Sequence, residues 1–501
     1  MSKSEPELRS TPVVSRRAWQ SLIVLLAGMF MALLDTTIVN VALPTIRTSL
    51  DASEATLSWI ISGYALAFGL ALIPAGRIGD RIGHKWVFFT GLALFTLASL
   101  ACGLAQNDLQ LIVARVAQGL AGGIFVPAVT AVIQLMFPPQ ARGKAFAIMG
   151  SVIGVSTALG PIVGGLIIQA FGDENGWRLV FWVNLPIGIV ALVAAARLLP
   201  SRAEASVAGG AKPGTPAPAR VALDWVGLLL ISAGLVALLV PLIEGEDQGW
   251  PWWTFVSLAV AALLIVLFGF WEVSYTKRGL SPIVPPRLFS HPAFTGGVIL
   301  ALMYFAAFTS IFFTISILWQ AGLGHTALES GLVSIPFAIG SIIGASQSNR
   351  LSQRLGRTVL VIGVTLVTVG LVWIWLVLLL VPVGDLTNWH LLTPLLIAGL
   401  GSGLFIAPNV QFIVATVDRS EAGAASAVVG VMQRVGSAVG IAVIGSVLFG
   451  SLVVTGPTPD ALATAFTESA TLAMAVSAGF SVVALVLVFA LPKRVAGPPA
   501  A

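Results

Sequence analysis

Long apolar runs dominate this sequence and constrain what it can fold into. Of its 501 residues, 57% are hydrophobic and 9% are charged, whereas a soluble domain carries about a quarter charged residues. An apolar run of roughly 20 residues is long enough to cross a bilayer as a helix. The sequence therefore predicts an all-α, polytopic membrane protein with fourteen transmembrane helices and leaves no room for a soluble domain of ordinary size.

Charge placement offers an independent check on this count, since Lys and Arg concentrate in short cytoplasmic loops. With both termini cytoplasmic, 22 of the 26 Lys and Arg residues fall on the cytoplasmic side, and 12 of the 21 Asp and Glu residues fall on the other. An odd number of helices would break this alternation. The predicted spans are residues 18–43, 57–77, 86–106, 109–136, 144–170, 178–199, 223–243, 252–272, 294–319, 328–348, 358–382, 389–415, 422–451 and 470–491.

The chain also repeats itself at an offset of 280 residues. Glycines of predicted helix 5 recur in predicted helix 13 as the pairs Gly143 and Gly423, Gly150 and Gly430, Gly160 and Gly440, and Gly165 and Gly445. Several matches at one offset in corresponding helices indicate duplication rather than chance. Helices 1–6 and 9–14 are thus predicted to form two related halves with helices 7 and 8 inserted between them. Repeats of this kind are typical of transporters that hold substrate between the halves.

The repeat and the composition divide the chain into segments. The segment 201–222 is rich in Ala, Gly and Pro, a composition that favours a flexible tether. The predicted order is a cytoplasmic tail 1–17, a six-helix bundle 18–200, a cytoplasmic linker 201–222, two inserted helices 223–272, a cytoplasmic loop 273–293, a second six-helix bundle 294–491 and a cytoplasmic tail 492–501.

Three charged residues lie well inside predicted spans. At 1.5 Å per residue, Asp35 is roughly 27 Å from Arg17 and 18 Å from Arg47, which places it near the bilayer centre. A carboxylate is costly there, so Asp35 is a candidate for loading and releasing protons, the alternative being a structural contact with a neighbouring helix. Arg115 needs an anionic or carbonyl partner, and Asp35 is the acid at comparable depth, so we expect Arg115 to face Asp35 or to brace helices through carbonyls. Arg434 has no acid at its depth, which leaves bracing, binding of an anionic group or contact with a cavity open.

Two glycine motifs stand out. Residues 76–85 contain Gly76, Asp80, Arg81, Gly83 and Lys85, and we expect a tight cytoplasmic turn between helices 2 and 3 because glycine permits positive φ and close approach. Predicted helix 5 carries small residues at spacings that allow close helix packing, and its proline favours a bend. These residues are Gly154, Gly160, Pro161, Gly164 and Gly165.

Several other functions are excluded or disfavoured. There is no phosphate-binding Gly-Lys-Ser/Thr motif for an ATPase, and the four histidines lack metal-ligand spacing. No basic domain exists for a nucleic acid. Glu244 is interpreted as an interfacial acid, and Trp86, Trp177, Trp225 and Trp252 as interfacial anchors. For Trp59, Tyr64, Phe305, Phe308 and Phe312, a cavity lining is one interpretation and core or lipid contact the other.

Together these motifs resemble the major facilitator superfamily and, with fourteen helices, its drug:proton antiporter branch. Four patterns carry the resemblance over residues 18–491. Residues 76–85 are similar to the loop 2–3 signature, and residues 35–44 to the helix 1 motif of the branch. Arg115, Gln118 and Gly119 resemble the helix 4 motif implicated in proton coupling, and the glycines and proline of helix 5 resemble the antiporter motif.

The resemblance implies a proton-coupled secondary exporter of amphipathic, cationic or neutral drugs in a bacterial cytoplasmic membrane, not an enzyme. It implies Asp35 as the proton and cation site, with Arg115 as its modulator. The exporter would be driven by the proton gradient without a cofactor or metal, and we expect a monomer whose partners are a small amphipathic substrate, protons and lipid. The second half offers Glu329 and Glu468 only near helix ends, which disfavours dicationic substrates. A dedicated exporter of one endogenous metabolite or antibiotic is a second hypothesis, and a non-transporting receptor or scaffold a third.

Overall fold

The computed structural model describes residues 14–52, 54–201, 224–245, 248–280, 282–415, 417, 421–454, 456 and 458–493. Within these ranges the chain folds into helices joined by short connections and contains no β-strand, so the predicted all-α class is confirmed. The start of the predicted tail 1–17, nearly all of the predicted linker 201–222 and the end of the predicted tail 492–501 lie outside the described residues.

Fifteen α-helices follow one another in these ranges. They are α1 (Arg16–Leu50), α2 (Glu54–Ile82), α3 (His84–Leu104), α4 (Asp108–Met136), α5 (Pro139–Trp182), α6 (Asn184–Leu198), α7 (Trp225–Glu244), α8 (Trp252–Lys277), α9 (Pro292–Ile317), α10 (Ala327–Leu332), α11 (Ile335–Leu355), α12 (Thr358–Leu380), α13 (Asn388–Ala415), α14 (Ala422–Gly450) and α15 (Pro459–Leu487). A π-helical turn, Leu318–Gly322, extends α9.

Thirteen stretches of the described helices are long and apolar enough to cross a membrane. Helices α10 and α11 share one of them, Leu328–Leu355, and α5 contributes to two, Ala141–Gly172 and Asn175–Leu198. A shorter apolar stretch, Trp59–Leu72, belongs to α2 and coincides with the second predicted span. The polytopic class is confirmed, and the count of fourteen spans stays a prediction.

Helix ends differ from the predicted span ends, because hydropathy marks the apolar part of a helix rather than its caps. Helix α1 continues to Leu50, and α15 begins at Pro459, where the Thr458 side chain accepts a hydrogen bond from the Ala461 amide at 3.3 Å. Within α5, helical geometry is lost at Gly172, whose φ is 75°. The helix continues through Pro161, so the break does not occur at the proline where the sequence favours a bend.

The duplication appears in the way helices pack. Cβ atoms at two glycines of α4 would collide with backbone carbonyls of α2, and the same holds for two glycines of α13 against α11. The pairs are Gly119 with Tyr64, Gly123 with Phe68, Gly399 with Phe337 and Gly403 with Ser341. Only glycine permits so close an approach of two helix backbones. The two halves therefore share one packing scheme.

Helix α5 lies along the boundary between the halves. Its Gly154 contacts Ser341 of α11 and its Gly165 contacts Leu328 of α10. On another side of the molecule, α2 and α14 form a second contact between the halves. The inserted helix α7 packs on α2, and Trp250, which follows α7, donates an indole hydrogen bond to Ser446 of α14 at 2.8 Å.

The tryptophans follow the predicted anchoring pattern only in part. Trp86, Trp225 and Trp252 are exposed at helix ends, as interfacial anchors would be. Trp177, in contrast, is fully buried, and the Arg178 guanidinium stacks on its ring at 4.2 Å. The anchor prediction is wrong for Trp177, because its side chain packs in a buried hydrophobic cluster together with Ile38 and Phe181.

Candidate functional site

Asp35 lies in the middle of α1 and is completely buried. Its Oδ2 accepts a hydrogen bond from Arg115 Nη1 at 2.6 Å. Its Oδ1 accepts from Gln118 Nε2 at 2.9 Å and from Asn184 Nδ2 at 2.8 Å. Both carboxylate oxygens are therefore occupied by donors, as an ionised carboxylate buried away from water requires.

Arg115 is positioned by α4 and held by α2. Because Arg115 and Gln118 are three residues apart, they lie on one face of α4, and Arg115 Nη1 also donates to Gln118 Oε1 at 2.7 Å. Arg115 Nε donates to the Ile60 carbonyl at 3.1 Å. The guanidinium carbon lies 4.1 Å from the centre of the Tyr64 ring. The close approach of α2 at Gly119 brings both of these α2 partners within reach.

Ser99 of α3 closes the network from the other side. Its Oγ accepts from Gln118 Nε2 at 3.1 Å and from Asn184 Nδ2 at 2.9 Å, and it donates to the Phe181 carbonyl at 2.8 Å. Cys102, one turn further along α3, donates to Gln118 Oε1 at a sulfur–oxygen distance of 3.5 Å. We call Asp35, Arg115, Gln118, Asn184 and Ser99 the Asp35 network.

One acceptor of the Asp35 network is unused. Asn184 Oδ1 is buried and has no hydrogen-bond partner among the described residues. A carboxylic acid, unlike a carboxylate, needs an acceptor for its proton. Rotation of the Asn184 amide would present this oxygen to a protonated Asp35, so the network contains the donors that the ionised form needs and an acceptor for the neutral form.

The network links protonation to helix contacts. Removing one charge of a buried ion pair leaves the other uncompensated, which costs about 3–5 kcal/mol. Protonation of Asp35 would leave Arg115 with the Ile60 carbonyl, Gln118 and the Tyr64 ring. Asp35 thus joins α1 to α4 through an ion pair that a proton on the carboxylate would remove.

Arg434 lies apart from this network, on α14. Its guanidinium carbon is 4.2 Å from the centre of the Phe68 ring on α2, across the boundary between the halves. Within the ranges that the structure describes, it forms neither a hydrogen bond nor an ion pair.

The glycines of α5 serve two different surfaces. Gly160 contacts Thr37, and Gly164 contacts Ile38, both on α1. Gly154 and Gly165 face the second half, and Pro161 contacts Gly331 there. The predicted close packing is therefore present within the first half and also between the halves.

The structure corrects the extent of the turn predicted at residues 76–85. Helix α2 continues through Ile82, so Gly76 lies inside a helix, and the turn consists of Gly83 alone, with φ at 100°. Gly83 is needed there because other residues rarely adopt this conformation. Lys85 donates to the Ala196 carbonyl at 2.9 Å. The side chains of Asp80 and Arg81 lie outside the described part of the structure.

The remaining sequence predictions have mixed outcomes. Glu244 is buried and accepts a hydrogen bond from Gln248 at 3.4 Å, so it is not an exposed interfacial acid. Glu329 caps α10 together with Thr326, and Glu468 is exposed on α15. Tyr64 is buried rather than cavity-lining, whereas Phe305 and Phe312 stay partly exposed. No group of His, Cys, Asp and Glu suited to a metal occurs among the described residues.

Sequence reasoning missed Ser99 and the part played by Asn184. Asn184 stands in an Asn-Leu-Pro sequence, and its place at the first position of α6 could have suggested a buried polar contact. Ser99 stands in an apolar helix and carries no comparable signal.

Two related helical halves that pack against each other are a frame typical of secondary transporters. The sequence model of the Major Facilitator Superfamily matches residues 25–279, 223–441 and 298–501. The chain belongs to this superfamily.

Its relatives include antibiotic transporters and resistance proteins. The probable actinorhodin transporter of Streptomyces coelicolor is 35% identical over 87% of this chain and 73% of its own length. The puromycin resistance protein of Streptomyces alboniger is 32% identical over 97% of this chain and 95% of its own length. The tetracenomycin C resistance and export protein of Streptomyces glaucescens is 33% identical over 86% of this chain and 76% of its own length.

A solved structure shows the same fold. The human organic anion transporter MFSD10 (TETRAN) superposes with a TM-score of 0.64 and 15% identity, over 96% of this chain and 100% of that one.

Proposed function

We propose that the protein is a proton-coupled exporter that moves amphipathic compounds out of the cell in exchange for protons. It would lie in a bacterial cytoplasmic membrane with both termini in the cytoplasm and would function as a monomer driven by the proton gradient, without a cofactor. The resistance and export activities named for the Streptomyces relatives support this direction of transport.

The single observation that carries the proposal is the buried, fully hydrogen-bonded carboxylate of Asp35. An ionisable residue buried inside a transport protein is expensive and is retained for a function such as a proton relay. Asp35 is paired with Arg115 in its ionised form, and uptake of one proton breaks that pair. Because donors occupy both of its oxygens, Asp35 serves here as the proton site and not also as an anchor for a cationic substrate.

The packing supports a rocking motion of two halves. Helix α5 contacts α1 through Gly160 and Gly164 and contacts the second half through Gly154 and Gly165. Surfaces of small residues allow backbones to lie close without interlocking side chains. A change in the α1–α2–α4 contacts at Asp35 would reach the boundary between the halves through α1 and α5.

The test is drug-driven proton release from everted membrane vesicles. We expect Asp35→Asn to abolish the release, since an amide side chain takes up no proton near neutral pH and carries no negative charge to pair with Arg115. Glu468→Gln is the matched control, because it makes the same chemical change on an exposed position of α15 and should leave release at the wild-type level.

Wild-type exchange by Asp35→Asn would overturn the assignment of the proton site. Loss of exchange in both variants, with both proteins present in the membrane, would contradict the special place given to Asp35.

A dedicated exporter of one antibiotic is the second candidate. The observation in its favour is that the actinorhodin, tetracenomycin C and puromycin relatives are each named for a single compound. A panel of chemically unrelated drugs in cells that express the protein separates the two, because a dedicated exporter protects against one chemical family and a multidrug exporter against several.

A further inference from the structure

Arg434 is a cation inside the molecule that has no counter-ion among the residues that the structure describes. It is the thirteenth residue of the 29-residue helix α14 and therefore lies close to the middle of a span. Its guanidinium rests on Phe68, a ring that is 1% exposed, yet Arg434 itself keeps part of its surface accessible. Because Phe68 belongs to α2 of the other half, the partly accessible Arg434 side chain lies at the boundary between the halves.

Such a charge is costly when it stays unpaired, since its hydration is lost without compensation. The buried acid Asp35 does not pair with Arg434, because donors from α4 and α6 occupy both oxygens of the Asp35 carboxylate. Tyr64 separates the two sites. Its ring contacts Arg115 on one side and lies 6.0 Å from the Phe68 ring on the other. Arg434 thus retains unused hydrogen-bond donors at the boundary between the halves.

An aromatic surface lies beside this cation. Thr309 of α9 donates a hydrogen bond to Ser437 at 2.8 Å, and Ser437 lies one turn from Arg434 on the same face of α14. Phe305 and Phe312 are one turn to either side of Thr309, so all three share a face of α9, and both rings are partly exposed. Phe308 connects the two rings, with centroids 5.7 Å and 5.4 Å away.

A planar fork of donors next to aromatic rings suits a ligand that is both aromatic and negatively charged, because guanidinium groups match carboxylates in a bidentate manner. We propose that Arg434 binds the carboxylate, or an equivalent anionic group, of an aromatic amphipathic substrate. The proposal rests on the exporter function above and narrows its substrates to anionic or zwitterionic compounds. It departs from the cationic or neutral substrates expected from sequence.

Three pyrene probes that differ in charge test the proposal. They are pyrenebutyrate, its uncharged methyl ester and a pyrene that carries a trimethylammonium group. Binding to the purified full-length protein in lipid nanodiscs is measured by fluorescence, with protein-free nanodiscs as the blank. Wild-type protein should bind the butyrate about tenfold more tightly than the ester, the difference that one charge-assisted hydrogen-bonded pair supplies, and should bind the trimethylammonium probe most weakly.

Variants then assign the preference to one side chain. Arg434→Gln should bind the butyrate and the ester equally, and Arg434→Lys should keep part of the preference because it keeps the charge. Gln433→Met is the matched control on the neighbouring position and should behave as wild type. Asp35→Asn should lose proton exchange but still discriminate between butyrate and ester.

A wild-type protein that binds ester or trimethylammonium probe as tightly as butyrate overturns the proposal, and so does an unchanged preference in Arg434→Gln. Neither result touches the exporter function, which fails separately if Asp35→Asn retains proton exchange.

Discussion

The two halves of the molecule share one backbone packing scheme and bury different chemistry in it. In the first half, α2 and α4 meet at Tyr64 and Gly119, and the space beside them holds the charged Asp35 network. In the second half, α11 and α13 meet at the corresponding Phe337 and Gly399, and the neighbouring space is filled with aromatic rings. The scaffold is therefore compatible with either set of side chains, and the proposed proton chemistry depends on the side chains of one half.

The corresponding positions make the difference explicit. The residue 280 positions after Arg115 is Leu395, and the one after Gln118 is Ala398, both buried. On α9, Tyr304 stacks on Phe405 with ring centroids 4.1 Å apart. Phe337 contacts Phe312 with centroids 5.0 Å apart. Aromatic contacts therefore stabilise the part of the second half in which the described residues corresponding to Arg115 and Gln118 are apolar.

The largest expected effect comes from removing the cation of the first half. Arg115→Met leaves ionised Asp35 buried without its partner, and we expect a loss of about 3–5 kcal/mol in the free energy of unfolding together with loss of proton exchange. Leu395→Met is the matched change in the second half and should cost less than about 1.5 kcal/mol, because volume is conserved. Thermal unfolding in detergent and exchange in everted vesicles measure the two effects.

A double variant sharpens this comparison. Asp35→Asn combined with Arg115→Met buries no charge and should recover most of the lost stability while staying inactive. Equal destabilisation by Arg115→Met and Leu395→Met would break the proposed difference between the halves.

A smaller effect is expected from two buried tyrosines. Tyr64 donates its hydroxyl hydrogen to the Ala32 carbonyl at 3.2 Å, whereas the Tyr304 hydroxyl has no partner among the described residues. Tyr64→Phe should therefore lower the free energy of unfolding by about 1 kcal/mol, and Tyr304→Phe should be neutral or stabilising. Thermal unfolding of the two variants side by side decides this, and a larger loss for Tyr304→Phe would contradict it.

The sequence predicted most of the fold because apolar runs report directly on what a bilayer accepts. For Arg115 it left two alternatives, an ion pair with Asp35 or bracing through carbonyls, and the structure contains both contacts. The contributions of Ser99 and Asn184 were not predictable, because a single neutral polar residue in a membrane span costs little free energy and hardly changes the mean hydropathy of that span. The end of α2 at Ile82 and the break of α5 both occur at a glycine with positive φ, Gly83 and Gly172, and the hydropathy pattern does not distinguish these two from the other glycines of the chain.

The central claim is that Asp35 itself binds and releases the transported proton. Infrared difference spectra of the purified protein, recorded between alkaline and acidic conditions, detect a protonated carboxyl group through its C=O stretch. The account predicts a buried carboxyl band that appears on acidification in the wild type and in Glu468→Gln and is absent in Asp35→Asn. An unchanged band in Asp35→Asn would place the proton on another group and contradict the account.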